Sequence, residues 1–174
     1  MGSAAATLAG QYLGARRPDL AKRAVWIATG VAVSIMTVFG AGFVLFPRVI
    51  TGWLSSQPAH LELVPPLLVI CGLVQIPFAL AIVLRSAMRG AGDAKAVMLI
   101  TWLTTYAVRL PLAYFISGVD LTLPEFLGGM TIPNPVPWEA SLTLLWIGIC
   151  SELVIRGIAF TVYFIKGRWI HARV

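Results

Sequence analysis

Three ionisable side chains lie inside long apolar segments of this sequence: Arg109, Glu152 and Arg156. An ionised group at the middle of a membrane helix costs ~2.5–3.5 kcal/mol, so these side chains are expected to face the protein interior and to be paired. Glu152 and Arg156 are four residues apart, in the favourable order for an ion pair along one helix. Arg109 lies in a neighbouring segment, from which its long side chain is also predicted to reach Glu152.

The cluster has two possible roles. As a structural ion pair it would lock the last two helices together. As a functional group, Glu152 would be a proton-sensitive carboxylate or part of a polar path. The two arginines favour the ionised carboxylate, which supports the structural interpretation. Counting ~1.5 Å per residue from the outer helix ends places Arg109 ~12 Å deep and Glu152 ~18 Å deep.

A second candidate position combines a polar amide with a proline. Gln75 lies just before Pro77 in an otherwise apolar run. Pro77 is predicted to kink its helix and to free the carbonyl of Leu73, four residues earlier. Gln75 either bonds to a neighbouring helix, which is the preferred interpretation, or lines a cavity.

The elements that must position these residues are membrane spans. The 174-residue chain is 59% hydrophobic and 11% charged, with a mean hydropathy of +0.88. Soluble domains are about half apolar and about a quarter charged, so the composition favours a membrane protein. We predict an all-α, polytopic helix bundle, a single membrane domain over 1–174 with four full spans and one partial helix. The spans are expected at about 24–46, 63–84, 96–117 and 140–165, and the partial helix at 1–15. Pro65 and Pro66 are expected in the first turn of the second span. Residues 49–55 are expected to form a short amphipathic helix at the outer interface.

Basic residues form three clusters separated by apolar runs, at 16–23, 85–95 and 166–173. The loop at 118–139 contains no Lys or Arg, and it carries three acids: Asp120, Glu125 and Glu139. This pattern predicts a multi-pass protein of the cytoplasmic membrane whose basic turns and C-terminus are cytoplasmic. The net charge of +6 therefore does not indicate a nucleic-acid partner.

The basic turn before the third span contains Arg89, Gly90, Gly92 and Asp93. Glycine allows backbone angles that are closed to other residues, which is the role expected of Gly90 and Gly92. Asp93 is predicted to cap the following helix. The arginines are expected to hold the loop in the cytoplasm.

Small residues recur every four positions in the first segment, at Gly2, Ala6, Gly10 and Gly14. They predict a helix face that another backbone can approach closely. The apolar run is too short to cross a membrane unaided. It is interpreted as the inner end of a helix whose start is missing, or as a native short or re-entrant helix. Gln11 is expected near its cytoplasmic end and, with Gly10 and Gly14, in the packing of this helix.

Enzymatic and metal-binding functions receive little support. Cys71 and Cys150 are expected to be buried small hydrophobes rather than a disulfide or metal site. His60 and His171 are the only histidines, and neither belongs to a ligand-spaced cluster. Zinc-protease, nucleophile-elbow and phosphate-loop motifs are absent from the sequence, so no enzyme, cofactor or metal is expected.

Several segments together resemble one family. Residues 6–15 (Ala-Thr-Leu-Ala-Gly-Gln-Tyr-Leu-Gly-Ala) and the basic Pro-Asp turn after them resemble the second helix of a transporter lobe. Residues 75–79 (Gln-Ile-Pro-Phe-Ala) and 84–93 resemble the fourth helix and its Arg-Gly-x-Gly-Asp turn. Residues 109–114 (Arg-Leu-Pro-Leu-Ala-Tyr) are similar to the fifth helix of the C-terminal lobe. The family is that of the multidrug and toxic compound extrusion (MATE) transporters.

This resemblance implies an efflux protein in which two six-helix lobes face a central cavity and alternate between inward-open and outward-open states. The chain is most similar to the C-terminal lobe without its first helix and part of its second. The implied function is part of a secondary antiporter, driven by H⁺ or Na⁺, that exports organic or xenobiotic compounds. The implied partners are the lipid bilayer, small organic cations, and the missing N-terminal lobe or a complementary chain.

One departure from the family bears on coupling. Some members carry an acid on the fourth helix of this lobe, whereas the segment 63–84 offers Gln75 and no carboxylate. Coupling is therefore expected to depend on the absent lobe or on Glu152. Two alternatives stay open: a non-transporting membrane fragment or subunit, and a flippase for lipid-linked saccharides of the same superfamily.

Overall fold

The computed structural model describes residues 1–124, 128–136 and 139–171. Its helices are α1 (Gly2–Gly14), α2 (Pro18–Leu45), α3 (Pro47–Leu54), α4 (Pro58–Leu73), α5 (Gln75–Gly90), α6 (Ala94–Trp102), α7 (Leu110–Ser117) and α8 (Leu142–Ile165). A π-helical turn at Leu103–Arg109, the π segment, joins α6 to α7, and a 3₁₀ turn at Arg168–His171 follows α8. Glu125, Pro137 and Arg173, named in the sequence interpretation, lie outside the described residues.

Three described helical stretches are long and apolar enough to cross a membrane: Pro18–Leu45, Ala94–Ser117 and Leu142–Ile165. A fourth candidate is the pair Pro58–Leu73 and Gln75–Gly90, which are bent by 53° at a short break. With this pair taken as one span, the described chain has the four spans that the sequence predicts. The all-α, polytopic membrane fold is confirmed.

The bend between α4 and α5 lies at Val74, whose backbone leaves the helical region with φ −94° and ψ 5°. Pro77 has no N–H to donate to the carbonyl of Leu73, as predicted. The chain therefore ends one helix at Leu73 and begins the next at Gln75. Pro77 then falls in the first turn of α5, where N–H groups have no partner within the helix anyway.

The expected position of two other prolines is wrong. Pro65 and Pro66 were predicted in the first turn of a span that begins near residue 63, but α4 already begins at Pro58. The proline at the first helical position starts α4 early, since its φ suits a helix and its missing N–H costs nothing there. Pro65 and Pro66 therefore lie inside α4, where they deprive the carbonyls of Leu61 and Glu62 of their helical donors.

The third span is not a uniform α-helix, which the sequence interpretation missed. In the π segment between α6 and α7, a backbone N–H donates to the carbonyl five residues earlier instead of four, as Leu110 N–H does to Thr105 O. The cause is Pro111, whose ring would crowd the carbonyl of Ala107 in a regular α-helix. The wider turn relieves this crowding, and such turns occur often at functional sites.

The core forms around α5, which contacts α1, α2 and α8. It is built mainly from small side chains on α1 and α2 and from larger ones on α5 and α8, which lets the helices approach closely. The most buried members include Ala5, Ala9, Ala21, Val25, Leu84, Met88, Phe160 and Phe164. Trp169, after α8, is also buried and stacks on Phe164 with ring centroids 4.8 Å apart.

Most of the apolar surface of the spans is not covered by the bundle. Only 11% to 22% of the most apolar stretch of each long helix is buried. Large side chains such as Val38, Phe39 and Met98 are exposed. Helices that are apolar on their outer face need a non-aqueous environment, so the surface is suited to lipid or to further membrane helices.

Short elements lie between the spans. The predicted amphipathic helix near residues 49–55 is confirmed as α3. The loop between α7 and α8 contains a small hairpin that was not predicted, in which β1 (Leu121–Thr122) pairs antiparallel with β2 (Thr131–Ile132). Asn134 ties this hairpin to α7, because its Nδ2 donates to Tyr114 O at 2.6 Å.

Candidate functional site

The centre of the candidate site is the carboxylate of Glu152, which is fully buried with a side-chain exposure of 0%. Arg156 Nη2 lies 2.6 Å from Glu152 Oε1, and Arg109 Nε lies 3.5 Å from Glu152 Oε2. Neither contact has the alignment of a hydrogen bond, so both are charge contacts. The predicted pairing is confirmed, including the reach of Arg109 from the neighbouring span.

Arg156 also binds two hydroxyl groups that sequence reasoning missed. Its Nε donates to Thr104 Oγ1 at 3.1 Å, and its Nη2 donates to Thr105 Oγ1 at 2.7 Å. Both threonines lie in the π segment. The sequence feature that could have revealed this contact is the consecutive pair Thr104 and Thr105 in the span next to an intramembrane arginine.

These contacts join α8 to the π segment through both charge and hydrogen bonds. Glu152 and Arg156 come from α8, whereas Arg109 and the threonines come from the π segment. A charged side chain held on several sides in a poorly solvated setting strongly opposes separation of the elements that carry it. The geometry is therefore that of a clamp between the last two spans.

Gln75 does not make the hydrogen bond that was preferred for it. Its Oε1 is buried without a hydrogen-bond partner among the described residues. Its side chain lies against Gly40 of α2, where a Cβ would be 3.2 Å from Gln75 Cγ, and a glycine offers no polar side chain. Gln75 instead lines a cavity of about 190 Å³ together with Cys71, Phe78, Trp146 and Cys150.

Pro77 positions α5 against α8. A Cβ at Gly157 would lie 2.7 Å from the backbone oxygen of Pro77, so no larger residue fits there without movement. Gly157 follows Arg156 directly. The helix bend and the ion clamp are therefore adjacent along α8.

The turn after α5 has the expected capping residue. Asp93 Oδ1 accepts a hydrogen bond from Ala96 N at 3.3 Å, which confirms Asp93 as the cap of α6. Gly92 has φ 89°, in the region that favours glycine. The role expected of Gly90 is wrong, because this residue is the helical end of α5. Gly90 is required for another reason, because the Cβ of any other residue at this position would collide with the backbone of Ala6.

Asp93 has a second partner that the sequence did not reveal. Tyr163 of α8 donates its hydroxyl to Asp93 Oδ2 at 2.7 Å. The turn is therefore fixed to α8 as well as to α6. Arg89 is exposed on the same turn and lines a pocket.

The small-residue face of α1 is used in part. A Cβ at Gly10 would lie 2.8 Å from the backbone oxygen of Gly90, so Gly10 packs closely on α5 as predicted. The packing role of Gly14 is wrong, since no atom lies within 4 Å of its Cβ position. The reason is that α5 ends at Gly90 and extends no further along α1. Gln11, one residue round the helix from Gly10, is exposed and does not pack.

The described residues contain no group of three or more His, Cys, Asp or Glu side chains placed to hold a metal ion. Cys71 and Cys150 are free thiols, and Cys150 is buried whereas Cys71 is partly buried. Trp146 Nε1 lies 3.2 Å from Cys71 Sγ. This contact gives the indole N–H a weak acceptor inside the apolar cavity.

Long apolar helices joined by short turns and clamped by an internal ion cluster define a polytopic α-helical membrane protein. The MatE family model matches residues 1–115. A protein of Pasteurella multocida named "Probable multidrug resistance protein NorM" is 31% identical over 149 residues, which cover 84% of this chain and 32% of that protein. The chain belongs to the MatE family, which confirms the family resemblance of its motifs.

Two other relatives agree with this assignment. The "Multidrug resistance protein PmpM" of Pseudomonas aeruginosa is 27% identical over 120 residues, covering 69% of this chain and 25% of that protein. A NorM-named protein of Caulobacter vibrioides is 36% identical over 120 residues, covering 66% of this chain and 24% of that protein. The chain thus corresponds to less than a third of the length of each of these two relatives.

Proposed function

We propose that this chain forms part of a secondary antiporter, driven by H⁺ or Na⁺, that exports organic compounds across the cytoplasmic membrane. The observation that carries the proposal is membership of the MatE family, whose matched relatives are named multidrug resistance proteins. The proposed substrates are small amphipathic organic cations. The family assignment and the membrane fold support a transporter rather than an enzyme.

The proposed partner is a complementary lobe, supplied by the rest of a longer protein or by a second chain. Alternating access requires two halves that move against each other around a central site. The outer apolar faces of the bundle support this, because each long helix leaves most of its apolar stretch uncovered.

We place cation coupling mainly on the complementary lobe. The buried carboxylate of Glu152 is already in contact with Arg109 and Arg156, and this favours a structural clamp over a cycling cation site. Gln75 lines a cavity but cannot itself bind and release a proton. Glu152 is thus assigned a structural role within the proposed transporter.

Efflux of a fluorescent cation tests the proposal. The chain is expressed in cells without other drug exporters, alone and together with a complementary lobe, and efflux of preloaded ethidium is followed. Co-expression is expected to give efflux that stops when the H⁺ or Na⁺ gradient is dissipated. The lobe expressed without this chain is the control. Correctly inserted pairs that never transport any of a panel of organic cations would favour a non-transporting membrane subunit.

A further inference from the structure

A pocket of about 460 Å³ opens beside the turn between α5 and α6. Its polar lining includes Arg85, Arg89 and Thr101, and its apolar lining includes Met98, Trp102 and Tyr106. The size lies in the range of small-molecule sites, ~300–1,000 Å³. The pocket is separate in its lining from the small cavity that contains Gln75.

Neither arginine of this pocket forms an ion pair with a described residue. The ion pairs of the described residues all involve Glu152, which contacts Arg109 and Arg156. Glu152 contacts neither Arg85 nor Arg89. Arg85 Nε and Thr101 Oγ1 are both buried without a hydrogen-bond partner. A buried guanidinium donor and a buried hydroxyl thus line one pocket and lack an acceptor, which is costly unless a ligand provides one.

A span that ends at the turn between α5 and α6 brings its last residues to the boundary between acyl chains and lipid headgroups. Arg85 is five residues before the end of α5, which is ~8 Å along the helix. Its long side chain can extend back towards the headgroups, as intramembrane arginines do. Arg89 is exposed at the turn itself.

The other end of the pocket is suited to a hydrocarbon chain. Trp102 of α6 and Tyr106 of the π segment lie further from the turn than Met98 does. Their ring centroids are 5.4 Å apart, and both side chains are exposed on the outside of the bundle. Met98 is exposed on the same side, one turn before Trp102. The pocket therefore changes from cationic to apolar along the direction in which a membrane lipid lies.

We infer that this pocket binds the phosphate group of an anionic amphiphile, with Arg85 and Arg89 on the phosphate and Trp102 and Tyr106 along the chain. Arginine forks match phosphate oxygens, and basic pockets between membrane helices bind anionic lipid headgroups. Thr101 would supply a hydroxyl donor. The inference does not depend on the proposed transport activity.

Binding of phosphatidylglycerol to the purified chain tests the inference, with phosphatidylcholine and inorganic phosphate as comparison ligands. Native mass spectrometry counts the bound lipid, and a lipid with a brominated tail quenches tryptophan fluorescence near the pocket. Arg85→Gln and Arg89→Gln are each expected to weaken phosphatidylglycerol binding about tenfold. Trp102→Phe is expected to reduce the quenching. Arg89→Gln, at an exposed position, keeps the test valid if Arg85→Gln fails to fold.

The matched control is Arg23→Gln, which removes an exposed cation outside the pocket. Its effect on affinity is expected to stay within about twofold, since a distant surface charge adds only a screened attraction. Binding of phosphatidylglycerol but not of inorganic phosphate alone would support the lipid as the source of the phosphate group, whereas binding of inorganic phosphate without the lipid would overturn the assignment of an amphiphile. Equal binding of phosphatidylcholine, or an equal loss in Arg23→Gln and Arg89→Gln, would overturn the inference.

Discussion

Glu152 helps to hold the last two spans together, because Arg109 of the π segment contacts one carboxylate oxygen and Arg156 contacts the other. Arg156 in turn binds two threonines of the π segment. We predict that Glu152→Gln lowers the free energy of unfolding by about 3 kcal/mol, since it leaves two guanidinium groups without their counter-charge. Arg109 remains one-third exposed, so the loss lies at the lower end of the range for buried pairs. Thermal unfolding in detergent is measured with a thiol-reactive dye that detects the exposure of Cys150, which is buried in the fold.

Glu62→Gln is the matched control, because Glu62 is exposed on α4 and belongs to no ion pair of the described residues. Its melting temperature is expected to stay close to that of the parent. In an assembled transporter, Glu152→Gln should also leave the pH profile of efflux unchanged. Unchanged stability together with lost proton coupling would contradict the clamp and assign Glu152 to coupling.

The hydrogen bond between Tyr163 and Asp93 gives a second prediction for a single residue. Tyr163→Phe removes one hydroxyl donor to a carboxylate and is expected to cost about 1.5–3 kcal/mol of stability. The same thermal unfolding assay measures it. Tyr12→Phe is the control, since the Tyr12 hydroxyl makes no hydrogen bond within the described residues. This variant is expected to lose little stability. Equal melting temperatures for both variants would mean that the contact does not fix the turn.

For single residues, the partners of charged side chains were predictable from the sequence, whereas the partners of hydroxyl groups were not. A charge in an apolar span must find a counter-charge, so Glu152 and Arg156 could be grouped by their spacing and Arg109 by its depth in the neighbouring span. A hydroxyl has the alternative of bonding to its own helix, as Thr29 does to Val25 O at 2.7 Å. The roles of Thr104 and Tyr163 therefore depend on helix positions that the sequence does not state.

Among the helices, α5 shows how close packing depends on single glycines. Gly157 of α8 lies against the backbone of Pro77, and we predict that Gly157→Ala costs about 1–3 kcal/mol, because a backbone oxygen cannot move aside as a side chain can. Gly30→Ala is the matched control, since no atom lies within 4 Å of that Cβ position. It should stabilise α2 by about 0.5–1 kcal/mol through the helix preference of alanine. Thermal unfolding measures both variants.

A fall in stability for Gly30→Ala, or none for Gly157→Ala, would contradict this packing of α8 on the bend. The bend itself was predictable, because proline always removes the same hydrogen bond. The start of α4 and the π segment were not predicted. Both depend on the local backbone conformation around Pro58 and Pro111, and the spacing of apolar residues does not predict that conformation.

For the whole molecule, the course of α4 and α5 decides the topology. If this bent pair crosses the membrane, the basic turn at residues 89–95 lies on the opposite side from α3. If it is re-entrant, α4 begins and α5 ends on one side, and the basic turn would share that side with α3. The bend of 53° is far from a reversal of direction, which favours a crossing.

The distribution of charge supports the same conclusion. A crossing places the basic turns around residues 16–23, 85–95 and 166–168 on one side and the acidic loop on the other, in agreement with the positive-inside rule. A re-entrant pair would instead move the turn at 85–95 and the end of α8 to the opposite side from residues 16–23.

Labelling of single engineered thiols with a membrane-impermeant maleimide distinguishes the two courses. Lys95→Cys and Met130→Cys both occupy exposed positions, one on the basic turn and one on the hairpin. We predict that Met130→Cys is labelled in intact cells, whereas Lys95→Cys is labelled only after the membrane is permeabilised. The parent chain, whose two cysteines lie within the spans, is the control for background labelling. Labelling of Lys95→Cys in intact cells would show that the turn faces outward, because a re-entrant α4 and α5 would return it to that side.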